Sequence, residues 1–176
     1  MLPDHVIRDG RVEPDAWTFV GLAEAPVEAP LPAGAVVVPL AYWKANRDPL
    51  SARGAPVGVW LKADDDAAAL AGDLDRLALV AVHFPKFTDG RGYSTAALLR
   101  RRYGYRGELR AFGDVGRDQL FYLLRCGFDA FTLAPHHDPR AALAGLEVFS
   151  VRYQGSVDDP LPLFRKRGLP QGEAAP

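Results

Sequence analysis

The sequence predicts an α/β protein, a mostly parallel sheet of five or six strands with helices between them. Three observations carry this. Short apolar, β-branched runs alternate with segments of helical composition along most of the chain. The run "LALVAVHF" (Leu77 to Phe84) is almost continuously apolar, as a strand covered on both faces should be. Successive runs leave room for one crossover helix each, which implies right-handed βαβ units. An open doubly wound sheet and a partial or closed β/α barrel both satisfy this alternation.

Residues 1–35 read as an N-terminal extension with a Pro/Ala-rich loop, "PVEAPLPAGA" from Pro26. Residues 36–165 form a single α/β domain, and 166–176 a flexible tail. Within the domain "AVVVPL" is the first strand, and "AYWKANRDPLSARG" a helix that Pro49 should end or kink early. "VGVWL" (Val57 to Leu61) is the next strand, and "KADDDAAALAGDL" a helix whose aspartates cap free amides and oppose the macrodipole. After "LALVAVHF" comes the helix "YSTAALLRRRYG", capped by Gly104, and then the strand "ELRAFG". The helix "RDQLFYLLRCG" ends at Gly127, and "FDAFTL" is a strand. "DPRAALAGL" opens with Asp138 as N-cap and Pro139 at the first helical position, and "LEVFSVRYQ" supplies the sixth strand.

Apolar residues make up 48% and charged residues 24%, too apolar for a disordered chain. The formal net charge of -1 provides no global field toward nucleic acid or an anionic membrane, so neither is an expected partner. Cys126 is the single cysteine, which excludes an intramolecular disulfide and a Cys-based zinc cage and suits a reducing cytosol. The start lacks the pattern of a signal peptide, and no run approaches the ~20 apolar residues of a membrane span, so the expected location is cytoplasmic. No metal site is expected, because the adjacent His136 and His137 have no suitably spaced third ligand. "DGRG" lacks the third glycine of a dinucleotide fingerprint, and no phosphate-binding P-loop occurs. The cofactor is therefore unknown; an oxidoreductase of this sequence needs an external redox partner or a cofactor bound without a recognisable signature.

In parallel α/β folds ligands bind beyond the carboxyl ends of the strands. The strand-to-helix loops run Lys62 to Asp66, Lys86 to Ser94, Gly113 to Asp118 and His136 to Asp138, and they hold the unusual polar residues. "TDGRGYS" in the second loop has two readings. In one it is a glycine turn with a capping Ser94 and a solvated Arg91. In the other Lys86, Arg91 and the amides of Gly92, Tyr93 and Ser94 bind a small anion at a helix N-terminus. The next loop, "GDVGRDQ", repeats the chemistry: Asp114 caps a helix or joins the same rim with Arg117, supported by Asp118 and Gln119. Asp89 and Asp114 are candidate general bases or arginine-orienting groups. Cys126 is a candidate nucleophile on residue type, although its place at a helix carboxyl end disfavours the thiolate. His83, inside an apolar strand, reads as a packed residue with its polar edge satisfied.

The stretches "PVGVWL", "DLDRLALVAVHFPKFTDGRGYSTAALLRRRYGYRGELRAFGDV" and "RDQLFYLLRCGFDAF" closely resemble a bacterial family of uncharacterised proteins, DUF934, described as probable oxidoreductases involved in sulfite reduction. The resemblance implies an accessory protein or oxidoreductase of assimilatory sulfite reduction, with a small oxyanion such as sulfite and the sulfite reductase haemoprotein as partners. Two alternatives accompany it: a non-catalytic scaffold or electron-delivery partner of the reductase, with "RRRYGYRG" as a basic docking patch, and an independent flavin- or nicotinamide-dependent reductase. Gly116 departs from the family pattern, where a larger apolar residue is usual.

Overall fold

The computed structural model describes residues 2–22, 25–149 and 151–166. One sheet holds β1 (His5–Arg8), β2 (Arg11–Pro14), β3 (Thr18–Phe19), β4 (Val36–Pro39), β5 (Val57–Leu61), β6 (Leu79–Phe84), β7 (Glu108–Gly113) and β8 (Ala130–Phe131). The helices are α1 (Leu40–Ala45), α2 (Arg47–Ala52), α3 (Arg91–Arg101), α4 (Leu120–Cys126), α5 (Pro139–Ala142) and α6 (Leu163–Lys166).

The strand order is β2-β1-β8-β7-β6-β5-β4-β3. From β3 to β8 each strand lies parallel beside its predecessor, whereas β1 is antiparallel to β8 and β2 to β1. The sheet is mostly parallel, as expected, but has eight strands rather than five or six, and its order removes the open doubly wound alternative, whose strand order must reverse at a switch point. Crossovers that always step the same way leave the helices on one face. Accordingly Val38, Val59, Leu61, Val80, Val82 and Ala111 pack against Trp43, Leu70, Leu99 and Leu123. The alternate residues Val37, Trp60, Leu79, Ala81 and Phe112 form a second, smaller core with Leu2, Trp17, Phe19 and Leu22 of the amino-terminal segment.

The sheet is curled. Four strand steps of about 4.8 Å would hold β3 about 19 Å from β7 in a flat sheet, yet the rings of Phe19 and Phe112 meet with centroids 4.9 Å apart. The molecule is thus related to the partial barrel. Its concave face also carries a row of charge toward the amino end of β7, buried at Arg110 and Asp15 and more open at Arg8 and Glu13. Arg110, fully buried, pairs with Asp15 at 2.7 Å and with Glu108, its Nε donating at 2.8 Å. Glu108 is shared with Arg8, at 2.9 Å, and Arg8 also reaches Glu13 at 2.9 Å.

Several elements differ from expectation. The Pro/Ala-rich stretch has no helix or strand, but β1 to β3 precede it. The hairpin turn between β1 and β2 is Asp9-Gly10, both with positive φ (49° and 70°), as a two-residue type I′ turn requires. The helix over "AYWKANRDPLSARG" breaks at Asn46, and Pro49 sits in the first turn of α2, where its missing N–H costs nothing. "KADDDAAALAGDL" forms only two 3₁₀ turns, Ala67–Leu70 and Leu74–Arg76, the first capped by Asp66, which accepts from the Ala68 N–H at 2.9 Å. "LEVFSVRYQ" is not a strand: its described residues form no helix or strand, and Val148, Phe149, Val151 and Tyr153 are exposed. The expected tail lies, apart from Lys166, outside the described residues.

Candidate functional site

The carboxyl ends of β5 and β6 open into a cleft of about 250 Å³ lined by Trp60, Lys62, Ala63, Asp64, His83, Pro85 and Arg91. Strand alternation places Trp60 and His83 on the concave face, and sheet register sets His83 beside Phe112. The imidazole lies 5.0 Å from the Phe112 ring and 6.2 Å from Trp60, which meets it edge-on. Gly113 makes room for it: its φ is +108°, and a Cβ there would come within 2.8 Å of His83 Cδ2 and 2.3 Å of Phe84 O.

His83 is half-buried, and among the described residues its ring nitrogens form no hydrogen bond. Burial, reinforced by the charge of Lys62, pushes its pKa below the usual histidine range. The packed reading of His83 holds, against Phe112 and Trp60, and no protein group among the described residues satisfies its polar edge. What marks His83 in the sequence is position alone: it is the last concave-facing residue of an apolar strand, next to the loop.

The predicted rim residues are divided by the structure. Arg91 reaches the cleft, clasped by Asp89 through Nε at 3.0 Å and Nη2 at 2.6 Å, and its own N–H donates to the same carboxylate at 3.2 Å. The Arg91 clasp holds the Asp89 carboxyl down at about 2. That orients Arg91, as the arginine-orienting reading expected, and leaves Asp89 a poor general base at neutral pH. Asp114 does not orient Arg117; its carboxylate accepts from the Phe87 N–H at 2.8 Å, fastening the loop after β6 to the loop after β7. Buried Gln119 makes the same joint firmer, accepting from the Gly116 N–H at 2.8 Å and donating to the Tyr93 hydroxyl at 3.3 Å.

Gly92 packs against the helix-side core, where a Cβ would strike the Phe84 ring at 2.6 Å. Arg117 and Asp118 are exposed, Arg117 lying against Gly145 rather than in the cleft, and Lys86 is exposed in the loop between. Tyr93 and Ser94 face a different cleft, about 280 Å³, with Arg101, Tyr122 and Cys126. Burial pushes the Cys126 thiol up, which opposes its use as a nucleophile. The expected single rim is therefore two sites, and only Arg91 of its named cations meets the strand-end cleft.

Among the described residues no group of three or more His, Cys, Asp or Glu side chains is placed to hold a metal ion, and no helix is long and apolar enough to cross a membrane. The cleft is smaller than the roughly 300–1,000 Å³ of common cofactor pockets and suits a few-atom ligand. A larger recess of about 340 Å³ is lined by Leu2, Asp4, Asp15, Trp17 and Phe19, but its acids are spent on His5 and Arg110. A family model described as a bacterial protein of unknown function, DUF934, matches residues 58–164. No curated protein matches the chain.

Proposed function

The chain belongs to the bacterial DUF934 family, and we propose that it serves assimilatory sulfite reduction as an accessory protein binding a small oxyanion such as sulfite in the strand-end cleft. The observation that carries this reading is the convergence of Lys62, Arg91 and the imidazole of His83 on one cleft. The likeness of the motifs around "TDGRGYS" to proteins described as acting in sulfite reduction supports the choice of anion.

The magnitudes bound the affinity. Each charge-assisted hydrogen bond contributes about 1.5–3 kcal/mol net. Three would total about 5–9 kcal/mol, of which association and ordering remove several, so the affinity sits nearer millimolar than the micromolar value of about 8 kcal/mol. Both cations already engage partners within the protein, Arg91 the Asp89 carboxylate, and this lowers it further.

Calorimetric titration of the purified protein with sulfite tests the reading, and silence at millimolar ligand removes it. Arg91→Gln should abolish the signal while Arg117→Gln leaves it intact; equal loss in both variants would restore the wider rim at the expense of the cleft. The pathway is tested by a deletion strain, which should grow on sulfide but not on sulfate or sulfite as sole sulfur source.

A second reading, docking on the sulfite reductase haemoprotein as a scaffold or electron-delivery partner, is favoured by the side chains of Phe149, Val151, Tyr153 and Phe164, each at least 60% exposed. Cosedimentation with the haemoprotein that is lost on Phe149→Ser plus Tyr153→Ser supports it. Unchanged cosedimentation of that variant refutes the surface.

A further inference from the structure

We propose that His83 sets the ligand class of the strand-end cleft: an oxyanion bound together with one proton, which is held between the imidazole and an anion oxygen. The inference rests on reading the cleft as an oxyanion site and adds the proton to it.

The geometry leaves the imidazole with this task. It is wedged beside Phe112 and against the edge of Trp60, so its orientation is fixed by packing rather than by a hydrogen bond. Its ring nitrogens are not among the buried polar atoms sealed without a partner, so a ligand entering the cleft can reach them. The open side is the cleft, shared with Lys62 and Arg91. The charged groups around the ring are Lys62 and Asp64 from the loop after β5, and Arg91 with its Asp89 from the start of α3. β7 presents only Phe112 and Gly113, and Asp114 beyond it is turned to the Phe87 N–H.

Before an anion binds, the ring is neutral near pH 7, since burial and Lys62 both oppose its charge. A neutral imidazole accepts a hydrogen bond from an anion that carries an O–H. A fully deprotonated anion must instead recruit a proton onto the ring, where it donates to the anion. Both routes end in the same complex, with one proton between nitrogen and oxygen. The cleft should thus prefer anions that lose their last proton near neutrality, as sulfite does, over sulfate, which has none to bring.

Inorganic sulfite and sulfate are titrated into wild-type protein and His83→Gln by calorimetry. In the wild type, sulfate affinity falls about tenfold per unit of pH above the free ring's pKa, which burial and Lys62 hold below the ordinary value of about 6.5, since one proton is taken up. Sulfite is preferred over sulfate near pH 7. His83→Gln loses both the sulfate slope and the preference. A level sulfate affinity in the wild type, or a slope kept by His83→Gln, overturns the inference while leaving an oxyanion site standing. Absence of heat from both anions at every pH removes the site and the inference with it. Should His83→Gln fail to fold, the wild-type His83 imidazole resonance decides: it moves to the protonated position as sulfate saturates near pH 7, and a stationary resonance at saturation refutes the proposal.

Discussion

Arg110 provides the sharpest test of how the concave face is held. Its side chain is 0% exposed and that of its partner Asp15 5% exposed. Arg110→Ala would leave Asp15 buried without a counter-charge, whereas Glu108 would keep Arg8. Breaking a buried pair from one side costs about 3–5 kcal/mol, since the orphaned charge bears its desolvation alone. For a chain of this size each kcal/mol at the midpoint lowers Tm by roughly 2–4 °C, so the loss is roughly 6–20 °C. Urea denaturation monitored by tryptophan fluorescence measures it directly as a fall in midpoint at unchanged slope.

A second variant separates the charges. Adding Asp15→Asn to Arg110→Met removes both charges and should recover most of the loss. A loss below about 1 kcal/mol for Arg110→Ala, which is surface-pair magnitude, or no recovery in the double variant, would refute the account.

Gly92→Ala should destabilise the protein by about 1–3 kcal/mol through overpacking against Phe84, read as a lower urea midpoint. Gln119→Ala leaves the buried Gly116 N–H without its acceptor, at about 1–3 kcal/mol, and should speed amide exchange around Phe87 and Tyr93. The Asp89 carboxyl carbon should titrate by NMR with a midpoint at about 2. The clasp on Arg91 thus contributes in full above the unfolded value of about 3.9 and is lost as pH falls through about 2. Cys126, buried and pushed up, should react more slowly with a thiol reagent in the native protein than after unfolding.

The parallel half of the fold was legible because it obeys local rules. β4 to β8 appear as apolar runs, Asp138 and Pro139 open α5 as their types require, and Gly127 ends α4. The amino-terminal hairpin was not read, although its Asp-Gly turn stood in view. Its strands carry His5, Arg8, Arg11 and Glu13, and Arg8, besides pairing with Glu13 across the hairpin, reaches Glu108, a hundred residues away. "LEVFSVRYQ" misled in the opposite way: its alternation is that of a strand, but the segment folds over α4, where Phe149 meets Phe121. At the site, Asp89 with Arg91 was readable from a two-residue spacing. Whether His83 has a partner depends on β5, β7 and the loops, which no local pattern discloses.

Pairing β1 with β8 joins residue 7 to residue 131, and this has a consequence for the order in which the molecule is made. On the ribosome the hairpin leaves first, and the strand it must flank is synthesised roughly 6–25 s later at ordinary elongation rates. Until then Val6 and Ile7 have no sheet to enter, and the charges on either side of them keep a short exposed edge from recruiting a neighbour. Leu2, Trp17 and Phe19 likewise wait for Phe112 before they can cover the trough. The first strands to be translated are the last to be seated, so a nascent chain stalled before Phe131 should hold its helices against β4 to β7 while its amino terminus remains open to protease.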